Sequence, residues 1–433
     1  MRTTLINMVL MRSLASALAP QRRAARAVST LGGSSSYSSG DGRRAAPRGA
    51  VWLGAAALGG AAYEAQESAC AGGRVRVVTY NVLSSSLCEP GYFVKCAAED
   101  LSPPNRLKRV AALLDAEVAK GAVVCLQEVS RDWSGELHAY FAEKGYQFST
   151  GLYGTKFNGY MGVAVAWPSG KYDVLGVDAC RIADTIAEPP RERRAKEAKP
   201  NFVVRAWRSL KRRAGHVATA ATEPLPRGRP PFDTWNEAKR KHNVLVTATL
   251  REKGGDAFCV STYHMPCLFG SVEKEQVMVI HSVLAAERAK RVAAGRPYVL
   301  CGDFNVKPYD ASYKLLTSGA LGEAFAAYAP PPQADVAPAQ AFAPVLEPPL
   351  TSAYAAATGA EPDFTNFAYT KPMGGDRDAF VETLDYIFCS AGQWKVAGVK
   401  ELRSKQGLDT SKPYPTADEP SDHVMLAADL ELV

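Results

Sequence analysis

The feature that most constrains this chain is a set of short apolar runs, each bordered by a polar, chemically capable residue. Val75–Tyr80 (VRVVTY) runs into Asn81, and Ala122–Leu126 (AVVCL) into Gln127 and Glu128. Ala257–Tyr263 runs into His264, and Tyr298–Cys301 opens into Gly302, Asp303, Phe304 and Asn305. Gly162–Trp167, Val244–Leu250, Leu384–Cys389 and Val424–Leu432 extend the set; Asp385 stands in LDYIF, and Ser421, Asp422 and His423 precede the last run. Runs this short and this apolar fit strands covered on both faces. Between them lie segments of helical period: Asn105–Lys120, with apolar residues at 107, 110, 111, 113, 114 and 118, and the long Val272–Ala294. Strands alternating with helices define an α/β chain. In such sheets the strand ends are where rigid backbone meets a cleft, which suits groups that need fixed geometry.

Singly, each polar residue has an ordinary explanation as a turn, cap or solvated residue. Together and in this order they do not. TYNVL, LQEV, CGDFN, LDYIF and PSDH resemble the endonuclease/exonuclease/phosphatase superfamily across roughly residues 74–433. TLDYIF, YPTADEPSDH and LTSAYAAATGAEPDFTNFAYT are most similar to its deadenylase branch, of carbon-catabolite-repressor, nocturnin and Angel type. The resemblance implies a four-layer α/β sandwich, two packed mixed β-sheets flanked by helices. It also implies hydrolysis of a phosphate ester by in-line attack of water, with Mg²⁺ as cofactor and Mn²⁺ as a substitute. A hard cation suits an anionic ester because it neutralises the phosphoryl oxygens that repel a nucleophile, and one or two carboxylates plus an amide suffice to hold it.

Carried over position by position, the resemblance makes Glu128 the main metal ligand, with Asn81 beside it and Asp422 at a second position. Asp303 matches the carboxylate that orients or deprotonates the attacking water, and Asn305 matches a phosphate-oxygen donor. His423 matches a phosphate-facing imidazole whose tautomer Asp385 fixes, and His264 a histidine that meets the scissile phosphate or the leaving oxygen. Asn158 and Asn243 match substrate-side asparagines, and Tyr153 and Tyr160 are both candidates for the family's tyrosine. His138, His216, His242 and His281 fall in no motif and are expected to be structural. The chain departs from the pattern at Thr262-Tyr263-His264-Met265-Pro266-Cys267, where Pro266 fixes φ and removes an amide donor, so the loop after this strand must differ.

Composition matters chiefly through where the charge lies. The 433 residues carry a net +7, yet residues 1–63 alone hold eight Arg, no Lys and one acid, for +7. Residues 181–242 carry +9, so the remaining body is at −9. Residues 1–48 are Arg- and Ser-rich, the composition of an organellar transit peptide, with mitochondrion ahead of plastid. The uncharged 49–63 is too short and Gly/Ala-rich for a membrane span, so no stable span is expected. The basic stretch 184–241 has the character of a surface insertion: either an RNA-phosphate patch with Phe232, Trp207 and Trp235 stacking on bases, or a solvated loop. A second excursion, 320–350, is rich in Ala and Pro. Nine scattered cysteines without CxxC pairs argue against a zinc knuckle or a secreted disulfide scaffold, and for a reducing compartment.

The resulting expectation is a 3′-5′ exoribonuclease on single-stranded RNA, poly(A) first. Its rivals are a 2′,5′-phosphodiesterase or 2′-phosphatase acting on a small nucleotide, a DNA or phosphoinositide hydrolase, and a catalytically dead RNA-binding adaptor. The intact set of polar residues speaks against the last.

Overall fold

The computed structural model describes residues 73–154, 160–188, 232–334, 336–371 and 378–433. Residues 1–63, Asn158 and the greater part of the basic stretch, including Trp207, lie outside the described residues.

Fourteen strands are assigned among the described residues, twelve of them in two six-stranded sheets. In the first, β1 (Arg74–Asn81) and β2 (Val123–Val129) run parallel at the centre. Around them the order is β13 (Trp394–Val399), β14 (Leu426–Leu432), β1, β2, β4 (Gly162–Pro168), β3 (Tyr146–Leu152), every other pairing being antiparallel. The second sheet repeats this plan. Its parallel pair is β7 (Ala257–His264) with β8 (Tyr298–Asp303), within the order β5 (Tyr172–Arg181), β6 (Val244–Glu252), β7, β8, β12 (Asp385–Ser390), β9 (Leu350–Ser352). Two short strands, β10 (Asn366–Ala368) and β11 (Phe380–Glu382), pair apart from both sheets.

A parallel pair needs a crossover, and a helix supplies it in each sheet. Helix α1 (Pro103–Val118) joins β1 to β2, opening with prolines at its first positions, where a missing amide costs nothing. Helix α2 (Arg131–Glu143) follows β2. In the second half come α3 (Thr234–Arg240), α4 (Val272–Ala293) joining β7 to β8, α5 (Ala311–Ser318) and α6 (Ala353–Thr358).

Burial explains the unbroken apolar runs. Val75, Val77, Val123 and Cys125 face the second sheet and pack with Val246, Val260, Val299 and Ile387. Their alternates Val78, Tyr80, Val124 and Leu126 face α1 and α2. On the far side, Cys259, Tyr263, Leu300 and Phe388 pack under Met278, Val279 and Val283 of α4. The result is four layers, helices–sheet–sheet–helices, as the family resemblance implies.

Among the described residues no helix is long and apolar enough to cross a membrane. The end of the basic stretch belongs to the fold: Ala238 of α3 packs on Val277 and Ile280 of α4. Trp235 is not a base-stacking residue. Its indole N–H donates to the Pro331 carbonyl at 2.8 Å and its ring packs edge-on against Phe342. The 320–350 segment, otherwise irregular with two short 3₁₀ turns, is what covers it.

His281 is structural, as expected. Its Nε2–H donates to the Ala238 carbonyl at 3.1 Å, leaving Nδ1 to accept from the Tyr263 hydroxyl at 2.8 Å. Burial pushes its pKa down to about 4. An unfolded imidazole titrates near pH 6.5, so the unfolded chain binds the extra proton between these values and the native state does not. The neutral-imidazole contribution is therefore fully present above about pH 6.5 and lost as pH falls toward about 4, on the order of 3 kcal/mol in all. Urea titrations near pH 7 and near pH 4.5 check this: His281→Gln should be less destabilised than wild type by the downward pH change. Equal pH losses in the two proteins would remove the assignment.

Candidate functional site

Each parallel pair, β1/β2 and β7/β8, brings its two carboxyl ends together, and the Asn81–Asp303 hydrogen bond sets both pairs of ends at one edge of the sandwich. The register sets Asn81 beside Gln127 and His264 beside Asp303. The antiparallel neighbours β12 and β14 begin at the same edge, with Asp385 opposite Asp303 and His423 three residues before β14.

Local backbone aims these side chains. The β2–β4 register slips between Leu126 and Val129, and Glu128 within that bulge has φ 58°. A bulge turns a side chain out of the alternation, here into the site. Asn305, two residues after Asp303, has φ 51°. Left-handed backbone at non-glycine residues is costly and collects at functional sites. Gly302 is required for another reason: with φ +142°, a Cβ there would lie 1.9 Å from the Tyr263 carbonyl oxygen. Only glycine lets β7 and β8 close just before His264 and Asp303.

Asp303 is the hub. Its Oδ1 accepts from the Asn305 amide and its Oδ2 from Asn81 Nδ2, both at 2.9 Å. His264 Nε2 stands 3.5 Å and His423 Nε2 3.7 Å from the same Oδ2. Asn81 Nδ2 also reaches Glu128 Oε1 at 3.2 Å, while Glu128 Oε2 accepts from the Ser84 amide at 2.9 Å.

Each imidazole is held from behind. His264 Nδ1 lies 2.7 Å from the Tyr153 hydroxyl, a donor that leaves the proton on Nε2, facing the carboxylates. Tyr153 is therefore the tyrosine that holds His264, while Tyr160 is 43% exposed. His423 Nδ1 lies 2.7 Å from Asp385 Oδ2, which also accepts from Thr365 Oγ1 at 2.6 Å. These two share a proton. Burial pushes Asp385 up to about 6 against the pull of His423. Burial also opposes charge on His423, but Asp385, Asp303 and Asp422 outweigh it and hold the imidazolium well above its usual range.

Asp422 carries the strand lead-in as well as a carboxylate. Its carbonyl accepts from the Phe367 amide at 2.8 Å and its Oδ2 from Asn366 Nδ2 at 3.3 Å. Burial first, with the Glu128 charge adding, raises its pKa. Asn243 Nδ2 donates to the His264 carbonyl at 2.7 Å, and Asn305 Nδ2 to that of Met265 at 3.1 Å; both brace the loop after β7. Asn158 lies outside the described residues.

Sequence reasoning missed three supports. Thr365 ties Asp385 to the segment before β10, although DFTNF lies within the motif noted above. Gln127 Nε2 bridges the sheets beneath the site, donating to Thr79 Oγ1 at 3.0 Å and Thr262 Oγ1 at 2.9 Å. Arg106 is fully buried, its Nε donating to the Pro420 carbonyl at 2.6 Å and its Nη2 to those of Val82 and Leu83.

The donor set fits a hard divalent cation. Asp303, Asp385 and His423 bring ligand atoms within 4.8 Å of one another. Glu128 adds carboxylate oxygens on the other side of Asp303; Asn81, expected as a ligand, instead sets its Nδ2 between the two carboxylates while its Oδ1 accepts from the Leu83 amide at 3.0 Å. Hard oxygen donors, with no thiolate among them, are the set that Mg²⁺ and Mn²⁺ take. Because Asp385 and His423 are committed to each other, Glu128 and the near face of Asp303 are the better seat.

Fold and site together define a two-sheet α/β sandwich with an acid–imidazole centre at one sheet edge. The model of the Endonuclease/Exonuclease/phosphatase family matches residues 78–423, and the chain belongs to that family. Carbon catabolite repressor protein 4 homolog 2 of Arabidopsis thaliana is 25% identical over 387 residues, 82% of this chain and 57% of that protein. The CCR4-Not complex 3′-5′-exoribonuclease subunit Ccr4 of Emericella nidulans is 23% identical over 379 residues, 83% of this chain and 52% of that protein. The chain thus spans little more than half the length of these relatives. The crystal structure of ANGEL2, a 2′,3′-cyclic phosphatase, in complex with adenosine-2′,3′-vanadate, shares the fold: TM-score 0.59 at 20% identity, covering 83% of this chain and 96% of that one.

Proposed function

We propose that this chain is a divalent-metal-dependent phosphodiesterase and, within that class, a 3′-5′ exoribonuclease on single-stranded RNA with poly(A) as first substrate. The observation that carries it is the Asp303 hub, a buried carboxylate with one imidazole on either side and the Asn81–Glu128 pair against it. Glu128 and Asp303 would hold Mg²⁺, which would supply neutralisation of the phosphoryl oxygens and polarisation of the ester. Asp303 Oδ2 orients the attacking water and accepts its proton. His423, charged through Asp385, meets a phosphoryl oxygen from one side. His264 presents its Nε2–H from the other, positioned to donate toward the phosphate or the leaving oxygen. Similarity to Ccr4-type 3′-5′-exoribonucleases over most of the chain supports the RNA reading. The Arg- and Ser-rich leader supports an organellar setting, mitochondrial before plastid.

The test is a magnesium-dependent assay on the full chain. Its substrates are 5′-labelled poly(A), mixed-sequence RNA, 2′,5′-oligoadenylate and a 2′-phosphorylated nicotinamide dinucleotide. A shortening ladder on 3′,5′-linked RNA is expected. Turnover of only a small 2′-linked substrate would keep the site chemistry and discard the RNA assignment; silence on all four would discard both.

A further inference from the structure

The segment joining β1 to α1 is largely exposed and carries Tyr92, Val94 and Lys95 among its exposed residues, with Tyr92 at 42% exposure. It meets the stretch after β10, where the Lys371 amide donates to the Tyr92 carbonyl at 2.7 Å and Lys95 Nζ lies 3.6 Å from the centroid of the Tyr369 ring. That stretch is anchored to the site, because Asn366 bonds the Asp422 carboxylate and forms a bridge with His423. Burial raises the pKa of the Tyr92 hydroxyl, a hydrogen bond with the Thr370 side chain opposes this, and the Asp422 charge adds to it. A small aromatic and cationic rim therefore borders the Asp422 side of the centre.

Lys371, on the stretch after β10, is also exposed, and Lys307 stands differently from Lys95. Lys307, on the loop after β8, lies 4.0 Å from Glu382 Oε1, which offsets its charge. Lys95 rests on an aromatic face, and among the described residues no ion pair engages it. A lysine held over a ring is pre-oriented yet keeps its full charge for an anion. Beside it, an exposed tyrosine offers a face on which a base stacks without regard to sequence.

We infer that Tyr92 and Lys95 form an accessory nucleotide subsite, Lys95 taking a phosphodiester next to the scissile one and Tyr92 stacking on the attached base. The inference rests on the phosphodiesterase reading and sharpens it: the preferred substrate carries at least one phosphodiester beyond the one cleaved. The subsite acts on binding, so it moves KM and leaves kcat alone.

Steady-state kinetics of the full chain with magnesium test this, using a labelled oligoadenylate and the minimal diester bis(p-nitrophenyl) phosphate over a range of salt. Lys95→Ala should raise KM for the oligoadenylate about tenfold and flatten its log KM–log salt slope by about 0.7, the value of one lost single-strand phosphate contact. Tyr92→Ala should raise the same KM roughly tenfold without changing that slope. Lys95→Arg should keep the slope, and the minimal diester should be hydrolysed equally by all four proteins. An unchanged oligoadenylate KM and slope in Lys95→Ala would overturn the subsite, as would an equal loss on both substrates. A wild-type chain inert on both substrates would instead remove the phosphodiesterase reading, and this inference with it.

Discussion

Asp303→Asn should lower turnover by roughly three orders of magnitude, in the range a positioned general base contributes, while the protein keeps its fold. The carboxylate is bonded on both oxygens, Oδ1 by the Asn305 amide and Oδ2 by Asn81 Nδ2. An asparagine fills the same volume but offers one oxygen, so one of those donors meets an NH₂ group instead. That mismatch costs about 1–3 kcal/mol. It is offset by removing one negative charge from a cluster that also holds Glu128, Asp385 and Asp422. Stability should therefore change by no more than about 1 kcal/mol, the balance of these two effects.

Catalysis has no such offset. The amide lacks a basic lone pair for the water's proton, and His264 and His423 lose the anion that both approach within 3.7 Å. The measurement pairs kcat at saturating magnesium with thermal unfolding. A variant retaining more than about a tenth of wild-type turnover would take Asp303 out of the base role, since even a weak base contributes about a hundredfold.

The division between what the sequence revealed and what it hid follows burial. The eight apolar runs correspond to β1, β2, β4, β6, β7, β8, β12 and β14, the interior strands of the two sheets. Unread were β13, β3, β5 and β9, the four edges, and the short pair β10 and β11. An interior strand has both faces covered and shows as a continuous apolar run; an edge strand is half wet and carries polar residues on both faces. β5 illustrates this, since YDVLGVDACR is buried only at Tyr172 and otherwise exposed or half-buried. The site was legible for a related reason. Most of its reactive residues sit at the ends of those interior strands or just beside them, so finding the strands located Asn81, Glu128, His264, Asp303 and Asp385. Thr365 and Tyr153 reach the histidine partners from segments with no such signal. Trp235 was misread because its partners, Pro331 and Phe342, come from a stretch whose composition gave no sign of packing.

Arg106 is the largest support the sequence concealed, and replacing it should be as damaging to stability as Asp303→Asn is to rate. It stands in NRLKRV, where helical period and charge suggest a solvated residue, yet it is fully buried. Its guanidinium lies 5.0 Å from the Trp133 ring centroid, and its Nε and Nη2 donate to backbone carbonyls on two separate segments while Nη1 has no hydrogen-bond partner. Val82 and Leu83 directly follow Asn81. Pro420 directly precedes Ser421, whose hydroxyl donates to the Asn81 carbonyl at 2.6 Å. The planar fork thus clamps the exit of β1 to the lead-in of β14, fixing Asn81 relative to Asp422 and His423. Arg106→Met keeps most of the buried volume and leaves three carbonyls unpaired. At about 1–3 kcal/mol for each unmet acceptor, partly relieved by no longer burying a cation, the net loss should be about 3–5 kcal/mol. Arg106→Lys keeps the charge, but a single ammonium cannot serve both segments as the fork does, and it should lose about 2 kcal/mol. It should also raise the magnesium concentration needed for half-maximal activity, because Asn81 and Asp422 no longer share one frame. Urea unfolding of both variants, with a magnesium titration of the lysine variant, separates clamp from filler. If methionine costs under about 1 kcal/mol, less than one unmet acceptor, the clamp is not what holds these loops. If lysine leaves both stability and the magnesium midpoint unchanged, charge alone suffices and the two-segment geometry does not matter.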